Sequence, residues 1–197
     1  MGREEINVLP NGVGIRRQTL KKAVFLDRDG TLIEDLGYVH RIEDLHFLPG
    51  VIEGLKILRE NFLFFIITNQ SGIERGFYTV NDFHTLHNYF LNQLRSHGIE
   101  IERTYYCPHI SGCDCKKPST KFINEAIRRY DIESSESWVI GDHPSDIVMG
   151  RSARCKTVYL LTGHGKKHLG ELEKEVRPTI IANDFLSAVK SIMPASF

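Results

Sequence analysis

The segment AVFLDRDGT, residues 23–31, runs four apolar residues directly into two aspartates, a glycine and a threonine. A short apolar run that ends at polar residues is typical of a strand buried on both faces of a sheet. Two carboxylates two positions apart, Asp27 and Asp29, can divide nucleophilic and acid–base roles between them. Gly30 allows the backbone to turn sharply around a bound group. The segment therefore predicts a central strand whose carboxyl end carries reactive side chains.

Short apolar runs alternate with helical patterns along the rest of the chain. We predict further strands at 62–67, 101–106, 138–140, 157–161 and 179–182, and helices at 51–61, 80–97, 119–130, 146–153 and 184–193. This alternation is typical of βαβ units, and it predicts a Rossmann-like, three-layer α/β fold with a parallel sheet. The predicted elements fill the intervals between Asp27, Thr68 and Lys117, so we expect no large cap domain. The segment GHGKK at 163–167 is expected to be a surface loop.

Composition limits the classes of function. The chain has 197 residues with 25 basic and 25 acidic side chains, and this balance argues against a nucleic-acid binder. It contains no apolar run of about 18 residues and no signal-peptide pattern, so we expect a cytoplasmic protein without a membrane span. We predict an N-terminal arm at 1–22, one domain at 23–197 and a monomer.

Polar residues follow the other predicted strands as well. Thr68 and Asn69 end the second strand, Asp142 follows Gly141, and Lys117 opens a helix. Ligands of such sheets bind beyond the carboxyl ends of the strands, so these side chains are expected to meet. Carboxylates suit Mg²⁺, while a hydroxyl and an ammonium group can hold phosphoryl oxygens. The set predicts phosphoryl transfer, with Asp146 either supporting the Asp142 loop or capping the next helix.

Three cysteines and a histidine lie within nine residues, at Cys107, His109, Cys113 and Cys115. Three thiolates and one imidazole form the usual closed ligand set of a structural Zn²⁺ site. Free thiols or redox-active cysteines are the alternatives. Because the segment leads directly into Lys116 and Lys117, we expect the zinc to hold these lysines in place.

The order of the motifs DRDGT, TNQ, KKP and GDHPSD resembles the haloacid-dehalogenase-like phosphatase superfamily, from residue 23 to the C-terminus. The resemblance implies that Asp27 is the nucleophile, which forms an aspartyl-phosphate. It implies that Asp29 is the general acid and base, and that its backbone carbonyl ligates Mg²⁺. Thr68 and Lys117 match the phosphoryl-binding residues, and Asp142 matches a magnesium ligand. An aspartate at position 29 favours phosphatase over dehalogenase chemistry.

The Cys/His segment narrows the resemblance to the related heptose bisphosphate and histidinol-phosphate phosphatases. Two positions depart from their pattern: Lys116 stands where arginine is common, and His143 where lysine is frequent. Both positions are expected near the part of the substrate that is not hydrolysed. The expected substrate contacts are Asn69, Arg75, Lys116 and His143, together with Tyr38 and His40.

The leading hypothesis is a Mg²⁺-dependent phosphatase that acts on a phosphorylated sugar, with heptose 1,7-bisphosphate as the substrate and its 7-phosphate as the group removed. The alternatives are a histidinol-phosphate phosphatase, a polynucleotide 3′-phosphatase and an inactive binding module. The zero net charge argues against a nucleic-acid substrate. The presence of Asp27 argues against the binding module, because a binder needs no nucleophile.

Overall fold

The computed structural model describes residues 20–172 and 176–193. Its centre is a six-stranded sheet in the order β3-β2-β1-β4-β5-β6, and all neighbouring strands are parallel. The strands are β1 (Ala23–Leu26), β2 (Leu63–Asn69), β3 (Arg103–Cys107), β4 (Trp138–Gly141), β5 (Lys156–Leu160) and β6 (Ile180–Ala182). The predicted Rossmann-like architecture is confirmed.

Helices cover both faces of this sheet. They are α1 (Val51–Leu58), α2 (Val80–Ser96), α3 (Lys121–Tyr130), α4 (Pro144–Ser152), α5 (Gly165–His168) and α6 (Phe185–Ile192), with 3₁₀ turns at Ile42–Asp44, Ser134–Glu136 and Leu169–Glu171. Alternate residues of β1 point to opposite faces, as the pleat requires. Val24 and Leu26 pack in the core beneath α1, α2 and α6, while Ala23 and Phe25 pack beneath α3 and α4.

Some boundaries differ from those predicted. The helix expected at 146–153 begins at Pro144, because His143 caps it and proline fits the first helical position. The prediction of a loop at 163–167 was wrong for the second half of this segment, since α5 begins at Gly165. Gly165 is buried against the Leu160 carbonyl, where a Cβ would overlap the backbone. This close approach, rather than helix propensity, fixes the start of α5.

The N-terminal arm lies mostly outside the described residues. Its last part is attached to the domain, because the Lys21 N–H donates to the Asp131 carbonyl at 2.9 Å. Within the described ranges, no helix has both the length and the apolar character that a membrane crossing requires.

The strand order places the site. Along the chain, β2 and then β3 are added on one side of β1, and β4 is added on the other side of β1. In open parallel sheets, ligands bind at this reversal, beyond the carboxyl ends of the two strands. Asp27 follows β1 and Asp142 follows β4, so both predicted carboxylates lie at the reversal.

Candidate active site

Three carboxylates converge at the carboxyl ends of β1 and β4. Oxygens of Asp27, Asp142 and Asp146, here called the acidic cluster, all lie within 4.8 Å of one another. Lys117 joins two of them, since its Nζ is 2.8 Å from Oδ1 of Asp27 and 2.8 Å from Oδ1 of Asp146. Asp146 also accepts the His143 N–H at 3.2 Å, which caps α4. The cap was among the sequence expectations for Asp146, whereas its ion pair with Lys117 was not.

The electrostatics of this cluster favour a bound cation. Burial raises the pKa of Asp27 well above its usual value, and the charges of Asp146 and Asp142 add to the rise while Lys117 opposes it. Burial and Asp146 raise the pKa of Asp142 to about 6. Burial alone would lower the pKa of Lys117, but its ion pairs outweigh that effect and raise it. Three carboxylates and one ammonium leave two uncompensated negative charges. This charge and the hard oxygen donors fit one magnesium ion.

Two loops lie very close to the carboxylate of Asp142. Gly30 has a φ of 80°, and a Cβ there would overlap the Asp142 carboxylate. The His164 N–H donates to Oδ2 of Asp142 at 2.8 Å, just before α5 begins. The role of His164 was missed from sequence, because the polar segment at 163–167 carries no apolar periodicity.

Asp29 occupies a different environment from the acidic cluster. Its Oδ1 accepts a hydrogen bond from Nη2 of Arg28 at 2.9 Å, and its Oδ2 accepts one from Nε2 of Gln70 at 2.9 Å. The Thr68 hydroxyl lies 3.4 Å from the same Oδ2. Sequence reasoning did not identify Arg28 or Gln70. Magnesium binding by the backbone carbonyl of Asp29 stays a prediction.

A cleft of about 480 Å³ connects these groups. Its walls include Asp27, Asp29, Tyr38, Thr68, Asn69, Lys116, Lys117, Asp142 and His143 among the predicted residues, and also Asp35, Ser71, Ser145, His164 and His168. Arg75 is exposed and is not among these lining residues. His40 is not among them either, and its ring stacks on Tyr78 at 5.0 Å between centroids. The structure therefore brings together all the predicted reactive groups but leaves Arg75 and His40 outside the cleft.

Asn69 connects the second strand to the lysine pair. Its Oδ1 accepts the Lys117 N–H at 3.1 Å, and the neighbouring Thr68 is 1 % exposed. The ammonium of Lys116 donates to the Ile110 carbonyl at 2.5 Å, within the loop that follows β3. Both lysines are thus held from the same side of the cleft.

The four predicted zinc ligands form a second group, here called the Cys/His cluster, at the end of β3. Sγ of Cys107 lies 2.9 Å from Sγ of Cys115 and 3.5 Å from Sγ of Cys113. His109 Nδ1 is 3.8 Å from Cys107 Sγ and 3.5 Å from Cys115 Sγ. A tetrahedron with Zn–S bonds of about 2.3 Å has S–S edges of about 3.8 Å. The Cys107–Cys113 separation is close to that edge and the Cys107–Cys115 separation is shorter, and the four ligand atoms lie near enough together to hold one metal ion.

The thiols of this cluster differ in acidity. Burial raises the pKa of Cys107 to about 12, whereas a hydrogen bond from the Cys115 backbone lowers the pKa of Cys113 to about 6. All three thiols are free of disulfides. A metal that binds thiolates would therefore meet at least one sulfur that already favours the ionised form.

Comparison with known proteins identifies relatives of the chain. Residues 114–188 match the family model described as HAD-hyrolase-like. The chain is 41% identical over 147 residues to D-glycero-alpha-D-manno-heptose-1,7-bisphosphate 7-phosphatase of Campylobacter jejuni. This alignment covers 74% of this chain and 86% of that protein. It is 39% identical over 165 residues to the D-glycero-beta-D-manno-heptose-1,7-bisphosphate 7-phosphatase of Haemophilus ducreyi, over 79% and 90% of the two chains.

Solved structures agree with these relatives. The D,D-heptose 1,7-bisphosphate phosphatase from B. bronchiseptica, complexed with magnesium and phosphate, superimposes with a TM-score of 0.80 at 25% identity. The match covers 89% of this chain and 99% of that one. A D,D-heptose 1,7-bisphosphate phosphatase from Burkholderia Thailandensis superimposes with a TM-score of 0.67 at 25% identity, over 88% and 99% of the chains.

Proposed function

Since the chain belongs to the family of D-glycero-D-manno-heptose-1,7-bisphosphate 7-phosphatases, we propose that it removes the 7-phosphate of that sugar bisphosphate. The observation that carries the proposal is Lys117, which bridges Asp27 and Asp146 beside Asp142 in an open cleft. This arrangement joins a nucleophile, a fixed positive charge and a cation site at one point. Phosphoryl transfer consists mostly of such positioning and charge compensation.

In the first step, a carboxylate oxygen of Asp27 attacks phosphorus, and the sugar oxygen leaves. Asp29 gives this oxygen a proton, while Lys117 and the Thr68 hydroxyl hold the phosphoryl oxygens. In the second step, water attacks the phosphorus of the aspartyl-phosphate and gives its proton to Asp29. The bond between phosphorus and the Asp27 oxygen breaks, which restores the Asp27 carboxylate. The oxygens of Asp27 and Asp142 and the backbone carbonyl of Asp29 would hold magnesium, which would neutralise phosphoryl charge.

Zinc in the Cys/His cluster has a structural role in this proposal. All four ligands come from the protein, so no open position is left for substrate. The short loop that carries them ends at Lys116 and Lys117, and therefore sets the position of both ammonium groups.

The unreacted end of the substrate is assigned to Lys116 and His143, which line the same cleft as Lys117, with Tyr38 and Asn69 as further contacts. A compact lysine charge grips a phosphate with less geometric selection than the arginine fork does. Arg75 and His40 contribute less, because they lie outside the cleft walls. The catalytic unit of this proposal is a monomer; light scattering on the purified protein measures that.

The test is phosphate release from both anomers of heptose 1,7-bisphosphate and from histidinol phosphate, with Mg²⁺ present. We expect kcat/KM to be about 10- to 100-fold higher for a heptose bisphosphate, because an extra charge-assisted contact accounts for one to two decades. Phosphorus NMR should show loss of the 7-phosphate. A preference for histidinol phosphate, or loss of the 1-phosphate, would contradict the proposal. Asp27→Asn protein from the same purification controls for contaminating phosphatases.

A further inference from the structure

Arg28 is a fully buried charge next to the proposed nucleophile. None of its side chain is exposed, and its guanidinium lies 5.5 Å from the centroid of the Phe83 ring on α2. Nη2 also donates to the Val39 carbonyl at 3.3 Å. The side chain is thus held rigidly below the cleft rather than inside it.

The guanidinium contacts Asp29 through two nitrogens. Nη2 lies 2.9 Å from Oδ1, and Nε lies 3.2 Å from each carboxylate oxygen. Gln70 completes the contact from the other side, because the Tyr78 hydroxyl donates to its Oε1 at 2.6 Å and leaves Nε2 to face Asp29. Arg28 and Gln70 thus donate to the carboxylate from two sides. These contacts fix the orientation of the Asp29 carboxylate.

Folding stability alone does not explain why the Arg28–Asp29 ion pair is buried. A buried ion pair gains little over well-packed apolar residues, because both charges lose their hydration. Moreover, none of the residues that the structure describes accepts a hydrogen bond from Nη1 of Arg28. A methionine of similar length would fill the space against Phe83 without that cost. A role in the reaction accounts for the charge better.

We propose that Arg28 is the positioning residue that keeps Asp29 ready to accept a proton from water during hydrolysis of the aspartyl-phosphate; this rests on the function proposed above. In that step, the water oxygen bonds to phosphorus and its proton moves to Asp29. The bond between phosphorus and the Asp27 oxygen breaks, and its electron pair returns to the Asp27 carboxylate. Arg28 touches neither substrate nor phosphorus and acts through Asp29 alone.

The first test separates the two steps with ³²P-labelled p-nitrophenyl phosphate, whose leaving group needs no proton. In Arg28→Met we expect the burst of p-nitrophenolate to stay within about threefold of the parent rate, with turnover reduced about 10- to 100-fold and phosphoenzyme accumulating. Arg28→Lys, which retains the charge, should restore part of the turnover. Equal losses in burst and turnover, or no change in either, would overturn the inference.

A matched control is Phe83→Leu, which loosens the packing under the guanidinium but leaves its bonds to Asp29. This variant should lower the melting temperature without accumulating phosphoenzyme. If it accumulates phosphoenzyme as Arg28→Met does, the effect is one of packing and the inference fails.

The second test is a double-mutant cycle on the decay rate of trapped phosphoenzyme. We expect Asp29→Asn to slow the decay strongly, and Arg28→Met to add less than about twofold in that background, because residues that act as a unit are not additive. If Arg28→Met slows the decay by the same factor with and without Asp29→Asn, the role of Arg28 is overturned while the proposed function stays intact. An unchanged decay in Asp29→Asn would instead overturn the mechanism of the proposed function, and the role of Arg28 with it.

Discussion

The acidic cluster and the Cys/His cluster lie on the same rim but are assembled in opposite ways. Asp27 follows β1, whereas Asp142 and Asp146 lie far along the chain, just after β4 and in the first turn of α4, and the folded sheet brings them together. The Cys/His cluster comes from the last residue of β3 and the short loop after it. The comparison teaches that the folded sheet brings the acidic cluster together, whereas short sequence spacing brings the Cys/His cluster together next to the two lysines.

The largest effect is expected from the acidic cluster. Asp27→Asn keeps the shape of the side chain but removes the anionic oxygen that attacks phosphorus. Turnover should fall by about three orders of magnitude or more, measured as phosphate release. The melting temperature should stay the same or rise, because a buried and mutually repelling carboxylate is lost. Asp44→Asn, an aspartate outside the cleft walls, is the control, and activity within tenfold of the parent would refute the nucleophile assignment.

The Cys/His cluster should respond in stability as well as in activity. Cys113→Ser removes one zinc ligand and should cost at least about 2 kcal/mol, which lowers the melting temperature by about 4–8 °C. Zinc content, melting temperature and activity should fall together. Cys155→Ala, a cysteine buried outside the cluster, should keep its zinc. Purified parent protein without zinc by elemental analysis would exclude the site.

A smaller and more selective effect is expected at the point where the Cys/His loop meets the cleft. Lys116→Ala should lower kcat/KM for the bisphosphate about 10- to 100-fold, since one charge-assisted contact is lost, and should largely spare a small monophosphate ester. Lys121→Ala is a suitable comparison, because Lys121 pairs with Asp114 on the same loop but lies outside the cleft walls. Equal losses on both substrates would assign Lys116 to the reacting phosphate.

The smallest effect concerns pH. Because the pKa of Asp142 is raised to about 6 in the fold, the metal-free protein gains stability from its proton at low pH and loses this gain as pH rises through about 6. Magnesium offsets that loss only where the carboxylates are ionised. Added Mg²⁺ should therefore raise the melting temperature by about 3–6 °C at pH 7.5 and by less than half of that at pH 5. An equal rise at both values would argue against binding at these carboxylates.

The sequence was sufficient for the parts of the site that depend on topology or spacing. Apolar runs that stop at Asp27 and Gly141 predicted two strand ends, and parallel strands place such ends together. The Cys/His ligands were identified from spacing alone, because a short loop leaves little choice about which ligands meet. These inferences needed no knowledge of side-chain direction.

Features that depend on side-chain direction were not predictable. Arg28 lies between two aspartates, where a charged residue suggests exposure, yet its side chain turns under the sheet edge and is fully buried. Asp146 was expected either to support the Asp142 loop or to cap the next helix, but its ion pair with Lys117 was not predicted. His164 lies in a segment without periodicity, and its N–H reaches Asp142 next to Gly163, which packs closely against the same carboxylate.

One residue, Asn69, is connected to both ends of the Cys/His loop. Asn69 pairs in register with Cys107, where the loop begins, and its amide oxygen accepts the N–H of Lys117, where the loop ends. The loop positions that are not ligands can therefore change while the ligands and the two attachment points stay in place. Exchange of these positions between relatives offers a route to new substrate preference that leaves the chemical apparatus of the strand ends untouched.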